Sequence, residues 1–143
     1  MKKLIILTSF FCCSYIASSQ EIGVRFGDVL GNTIALDGMF NTGDFHRLHT
    51  DLSFGNDFGI ELLWDFAYRP FGGEAFYYYI GIGPSILFGD GSTLFGISGE
   101  IGLEYHFNGA PLAIGVDWRP TYFLGDNSNF EPGGFGVNAR FVF

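Results

Sequence analysis

Residues 95–107 alternate in polarity without a break. Odd positions carry Phe95, Ile97, Gly99, Ile101, Leu103, Tyr105 and Phe107, and even positions carry Gly96, Ser98, Glu100, Gly102, Glu104 and His106. A repeat of two separates an apolar face from a polar one only when the backbone is extended, so this stretch reads as a β-strand. At about 3.3 Å per residue it is long enough to cross a bilayer when tilted.

The same parity returns seven more times. Its apolar members are Ile22/Val24/Phe26, Ile34/Leu36/Phe40, Leu48/Thr50/Leu52/Phe54, Phe58/Ile60/Leu62/Trp64/Phe66/Tyr68, Phe76/Tyr78/Ile80/Ile82, Leu112/Ile114/Val116/Trp118 and Phe135/Val137/Ala139/Phe141/Phe143. Between these runs stand Gly31-Asn32, residues 41–44, 55–57, 69–73, 89–92, 108–111 and 125–129, each combining Gly with Asn, Asp or Pro. Such residues accept positive φ or preset a turn. Eight strands joined by short turns form an up-and-down meander, and closure into a barrel removes its exposed edges. The expected fold class is therefore an all-β, eight-stranded antiparallel barrel.

Composition removes competing classes. The chain has 143 residues, enough for one domain, and a formal charge of −8, which disfavours nucleic-acid binding because phosphate contacts need a basic face. Its 22 glycines argue against a helical bundle, and a hydrophobic fraction of 48% is too high for a disordered chain.

The N-terminus begins Met1-Lys2-Lys3, continues through Leu4-Ile5-Ile6-Leu7 and Phe10-Phe11, and reaches small residues at Ala17-Ser18-Ser19. A positive start, a short apolar stretch and an A-x-S site make a secretory signal peptide. Residues 1–19 are expected to be removed, leaving 20–143 as the mature domain. Cys12 and Cys13 leave with the signal, as do Lys2 and Lys3. The mature chain then holds no thiol and no lysine, and its basic residues are Arg25, Arg47, Arg69, Arg119 and Arg140. A water-facing surface without lysine is unusual.

Polarity assigns the faces. One set of strand positions carries Phe, Ile, Leu, Trp and Tyr. The other carries small residues and Arg25, Asp37, Asp51, Glu61, Asp65, Glu100, Glu104, Asp117, Arg119 and Arg140. An eight-stranded barrel is just wide enough for side chains to fill it, which suits small residues mixed with a few long charged ones. Large apolar residues suit hydrocarbon outside, where charge costs about 2–4 kcal/mol at the midplane. The competing assignment is a soluble barrel with an apolar ligand inside. Aromatics agree with the membrane assignment: Phe40, Tyr68, Phe71, Phe76, Tyr105, Phe107, Phe141 and Phe143 fall at strand ends sharing one rim, and Phe54, Phe58, Phe88, Phe95, Tyr122 and Phe123 fall near the other.

With these features the chain resembles the small outer-membrane β-barrel proteins of the OmpX- and OmpA-barrel-like group over residues 20–143. The most specific element is the last strand, residues 135–143, whose alternating residues end at Phe141 and Phe143. In that group such an ending looks like the signal read by the barrel-assembly machinery. Asn138 stands where the group usually has Gly. The stretches 102–107 and Asp117-Trp118-Arg119-Pro120 also resemble uncharacterised members. The resemblance implies an outer-membrane location, contact with lipid and lipopolysaccharide, and both termini in the periplasm. The turns at 31–32, 55–57, 89–92 and 125–133 would then face outward, the last being the one loop of appreciable size.

Catalytic and cofactor chemistry is sparse. His46 and His49 point to opposite faces of a strand and cannot share a metal. His49, Asp51 and Ser53 have the residue types of a hydrolase triad, but successive separations of about 6.6 Å along a strand are too long for direct hydrogen bonds. Asp57, Asp90, Asp126 and Glu131 at the tips could bridge divalent cations to lipopolysaccharide, though they are also ordinary turn residues, and no EF-hand spacing is present. No metal, cofactor or catalytic residue is expected. The interior charges Arg25, Glu61, Asp65, Glu100, Glu104, Asp117, Arg119 and Arg140 should form a pairing network that plugs the barrel, because isolated buried charge is costly. The expected role is structural or interaction-based. Alternatives are a small transport barrel for ions or apolar molecules and a lipid-modifying surface enzyme.

Overall fold

The computed structural model describes residues 20–73, 75–126 and 128–143. The expected signal peptide, 1–19, lies outside the described residues. Eight strands follow in chain order: β1 (Gln20–Val29), β2 (Asn32–Gly43), β3 (His46–Phe54), β4 (Phe58–Pro70), β5 (Phe76–Gly89), β6 (Ser92–His106), β7 (Leu112–Leu124) and β8 (Asn129–Val142). Each pairs antiparallel with its neighbours in sequence, and β8 pairs with β1, so the sheet closes as an up-and-down barrel. Closure is completed at the chain end, where the Phe143 amide donates to the Gln20 carbonyl at 2.9 Å. The termini and the β2–β3, β4–β5 and β6–β7 turns share one end, called here the terminal end. The remaining turns form the far end.

Register carries the alternation around the barrel. The row Phe26, Val137, Val116, Leu103 and Tyr78 runs from β1 through β8, β7 and β6 to β5 on the outer wall. A neighbouring row on the inner wall joins Asp117, Gly102 and Tyr79. Ile22, Leu36, Trp64, Ile82, Ile101, Val116 and Val137 are exposed outside, whereas Arg25, Arg47, His49, Asp65 and Arg140 are fully buried inside. The usual arrangement of a water-soluble domain is inverted.

Three details differ from the sequence expectation. Residues 125–133 are not a long loop: β7 runs to Leu124 and β8 starts at Asn129, with Tyr122 opposite Phe130 and Phe123 opposite Asn129. The run Pro132-Gly133-Gly134 reads as loop by composition, yet it is strand with a register shift between Arg119 and Thr121 on the facing β7. Tyr68 is not part of the outer rim. A bulge between Asp65 and Ala67 flips the parity of the end of β4, so Tyr68 faces inward opposite Tyr79. Phe123 also faces inward, where it packs with Val29, Leu30, Ala35 and Leu87 in an apolar cap at the far end.

This cap is built by the β1–β2 hairpin. Leu30 and Gly31 adopt φ of 55° and 81°, the positive pair that a two-residue hairpin turn requires. Gly27, at φ 129°, and a register shift between Phe26 and Val29 bend the hairpin tip across the barrel mouth. Leu30 thereby reaches Leu87 on β5 and Phe123 on β7.

Candidate functional site: the ion-paired barrel interior

The interior charges arrive at inward parity from every strand except β5, which carries none. Among the described residues the buried acids are Glu21, Asp37, Asp51, Glu61, Asp65, Glu100, Glu104 and Asp117, and the buried bases are Arg25, Arg47, Arg119 and Arg140 with His49 between them. Removing charge from water is tolerable only when each group is paired and hydrogen-bonded, and the network meets that demand in successive layers.

At the terminal end Arg140 gathers three strands. Its Nε donates to Glu21 Oε2 at 2.7 Å, Nη1 to Asp37 Oδ2 at 3.1 Å and Nη2 to Glu104 Oε2. Arg47 Nη1 donates to Glu104 Oε1 at 2.8 Å and its Nε to Asp65 Oδ2 at 3.2 Å. Its guanidinium lies 3.8 Å from the Tyr68 ring centre, a cation–π contact made possible by the β4 bulge. Tyr68 Oη approaches His106 Nε2 at 3.3 Å, and His106 Nε2 lies 2.8 Å from Glu104 Oε1.

At mid-height His49 is clamped at both ring nitrogens. Nε2 lies 2.7 Å from Asp37 Oδ1 and 3.3 Å from Asp51 Oδ2, and Nδ1 lies 3.0 Å from Glu100 Oε2. Arg119 donates from Nη1 to Asp51 and, at 3.3 Å, to Glu61, and its Nε lies 3.2 Å from Glu100. Arg25 Nε donates to Asp117 Oδ1 at 2.8 Å, and Asn138 Nδ2 donates to Asp117 Oδ2 at 2.9 Å. Tyr79 fills the centre, its ring edge-on to His49 at 6.2 Å. Above this, hydroxyls close the polar layer: Asn32 Nδ2 donates to Ser53 Oγ at 3.0 Å, and Ser98 Oγ lies 2.7 Å from Thr121 Oγ1. The apolar cap follows.

Every residue of the expected charge network is in this interior. Glu61 and Glu100 meet Arg119, Asp117 meets Arg25, and Glu104 meets Arg140. Asp65 instead pairs with Arg47, which the sequence reading left out of the network although it shares the parity of His49 and Asp51. Glu21, at the parity of Arg25, was also left out. Phe141 and Phe143 lie on the outer wall with ring centres 5.0 Å apart. Asn138, the departure from Gly, has its explanation in its bond to Asp117. One expectation is corrected: His49 and Asp51 do touch, because long side chains lean along the strand and converge across the narrow lumen. Ser53 bonds Asn32 rather than His49, so no triad forms.

Three sets bring acidic and histidine ligand atoms within 4.8 Å of one another: Glu21–Glu104–His106, Asp37–His49–Asp51 and His49–Asp65–Glu100. Each acid in them already faces a guanidinium, Glu21, Asp37 and Glu104 that of Arg140, Asp51 and Glu100 that of Arg119, and Asp65 that of Arg47. A metal would have to displace these cations. Acids still outnumber bases, and Oδ1 of Asp51 and of Asp65 receive no hydrogen bond. No nucleophile with an adjacent base and open access is assembled among the described residues.

The fold and this interior define a class: a closed eight-stranded β-barrel with an apolar exterior and a lumen filled by an ion-paired network. No family model, curated protein or solved structure matches the chain.

Proposed function

We propose that the protein is an integral outer-membrane β-barrel with a structural or interaction role, a plugged lumen and no catalytic chemistry, exported by a cleaved segment at 1–19. One observation carries this reading, the inversion of polarity across the barrel wall. Outward positions along the strands are apolar, and the strand charges lie inside except Asp28, Arg69 and Glu131 toward the strand ends. Arg69, exposed at the terminal end of β4, sits beside the Phe45 ring at 4.4 Å, in keeping with a charge held at the membrane boundary. Phe71, Phe76, Phe107, Phe141 and Phe143 toward one end, and Phe54, Phe58, Phe88, Phe95 and Tyr122 toward the other, have the placement of interfacial belts. The partners on this reading are the hydrocarbon and lipopolysaccharide of the outer membrane and, during biogenesis, the barrel-assembly machinery. The layered interior supports a plug over a conducting path.

The test is heat modifiability. Protein from the membrane fraction is run on a denaturing gel with and without boiling. A folded closed barrel in the membrane fraction migrates differently from its boiled chain. Recovery in the soluble periplasmic fraction with no shift would overturn the reading.

A further inference from the structure

Asp65 and Glu100 share a row of the inner wall with one glycine between them. Asp65 on β4 stands opposite Gly81 on β5, and Gly81 stands opposite Glu100 on β6. Two strand spacings, about 9.6 Å, separate the acidic residues along the sheet, and their side chains close that distance across a position that carries none. A Cβ at position 81 would lie 2.5 Å from Asp65 Oδ1 and 2.9 Å from Glu100 Oε1. Both carboxyl groups therefore lean into the notch that the glycine leaves, and they face each other as a side-chain hydrogen-bonded pair.

A hydrogen bond between two carboxyl groups needs a proton, because ionised carboxylates only accept. Among the described residues no other donor serves Asp65 Oδ1, which is buried without a hydrogen bond. Arg47 is on the other oxygen, its Nε 3.2 Å and its Nη2 3.1 Å from Asp65 Oδ2. Glu100 is approached by His49 Nδ1 at 3.0 Å and by Arg119 Nε at 3.2 Å. The other charged or titratable groups around the pair are engaged elsewhere. Glu104 of β6 accepts from Arg47, the Tyr79 hydroxyl of β5 donates to Asp117, and Asp37 and Asp51 lie at the opposite nitrogen of His49. Eight buried acids meet four buried arginines and His49 among the described residues, so acids are in excess even with His49 cationic.

We infer that this pair is a proton-binding site, in which Asp65 Oδ1 carries one proton and donates it to Glu100. Two facing carboxylates repel, and a single shared proton turns the repulsion into a hydrogen bond. Asp65 is the donor, and Glu100, between His49 and Arg119, is the acceptor. The proton makes the plug pH-linked. Unfolding near neutral pH releases it, so the folded chain binds one proton more than the unfolded one. The pair therefore stabilises the barrel most on the acid side, and that contribution fades as pH rises. The inference goes beyond the membrane role and does not depend on it, because the site is built by the barrel alone.

Asp65→Asn is the test, because the amide places an N–H donor where the shared proton sat. Full-length wild type and variant in detergent micelles are unfolded in urea at about pH 6 and about pH 7, where an Asp of the unfolded chain, titrating near about 3.9, is ionised. Other groups contribute alike to both proteins, so the ratio of wild-type to variant unfolding constants isolates the pair. That ratio should rise about ten-fold over the one pH unit, the signature of one proton released. A ratio that does not change with pH would overturn the site. Infrared spectra of the wild type give a reading that needs no variant. At neutral pH a carboxylic acid C=O band is expected, and heavy-carbon-labelled aspartate should displace it. Absence of the band, or a band that the label leaves in place, would overturn the proposal. Destabilisation of the wild type by a metal chelator at fixed pH would give the pair to a metal cation and overturn it as well. A barrel that shifts on boiling yet gives a flat ratio leaves the membrane reading standing and removes this one.

Discussion

The guanidinium of Arg25 occupies the volume that any side chain at position 136 would need. A methyl group on Gly136 would lie 2.4 Å from Arg25 Cζ, with Nη2 and Nε also within 3 Å, so the guanidinium would have to shift. The glycine lets Arg25 join β1 to both Asp117 and the Gly134 carbonyl at the place where strand pairing stops. Gly136→Val should therefore expel the arginine and leave Asp117 to Arg119 and Asn138, at about 3 kcal/mol, the low end for a broken buried pair. The measurement is the temperature at which the folded gel band converts to the unfolded one, which should fall sharply. An unchanged conversion temperature would show that the seam does not rely on Arg25.

His49 holds Asp37 and Glu100 apart at the centre of the lumen. His49→Leu should destabilise the barrel by about 3 kcal/mol, the low end for a broken buried pair because Arg140 and Arg119 still face those acids. His49→Gln, which keeps a donor, should lose less. Urea unfolding in detergent micelles would read both, and equal losses would mean that packing rather than pairing is at stake.

Phe143 separates assembly from stability. Its side chain is exposed and meets Phe141, while its backbone amide closes the barrel onto Gln20. Phe143→Ala keeps that amide, so the purified barrel should lose no more than about 1.5 kcal/mol, the upper worth of an aromatic pair. The yield of folded barrel in the outer membrane should nonetheless drop several-fold. Normal yield would argue against the terminal aromatic as an assembly signal.

On the proposed reading the plug is formed by the ion-paired layers rather than by the apolar cap. Planar bilayers containing the wild-type protein should show no unitary current steps. Leu30→Gly with Phe123→Ala opens the cap but leaves Arg119, His49 and Arg140 across the lumen, so it should stay silent as well. Steps in the wild type would favour the transport reading. Steps confined to the double variant would move the plug to the cap.

Strand number, order and facing were legible along the chain because a two-residue period is a local property: the parity that places Glu100 and Glu104 inside also places Ile101 and Leu103 outside. It fails where the backbone breaks the period. The bulge before Ala67 turns Tyr68 inward, and at Phe123 an inward aromatic at the mouth has the composition of a belt residue. The strand continuation through Pro132-Gly133-Gly134 was hidden for a related reason, since those residues are turn formers that a long facing β7 can still hold extended.

Alternation and turn chemistry act over a few residues, and they suffice to make this chain an eight-stranded antiparallel barrel with charge on one wall and aromatics on the other. Which acid meets which arginine, the pairing of Arg47 and His49 and the fold of the β1–β2 hairpin across the mouth emerge only in three dimensions. Those outcomes depend on register and on side chains converging from strands far apart in sequence, such as Arg25 with Asp117 or Arg140 with Asp37. No local pattern along the chain encodes such distances.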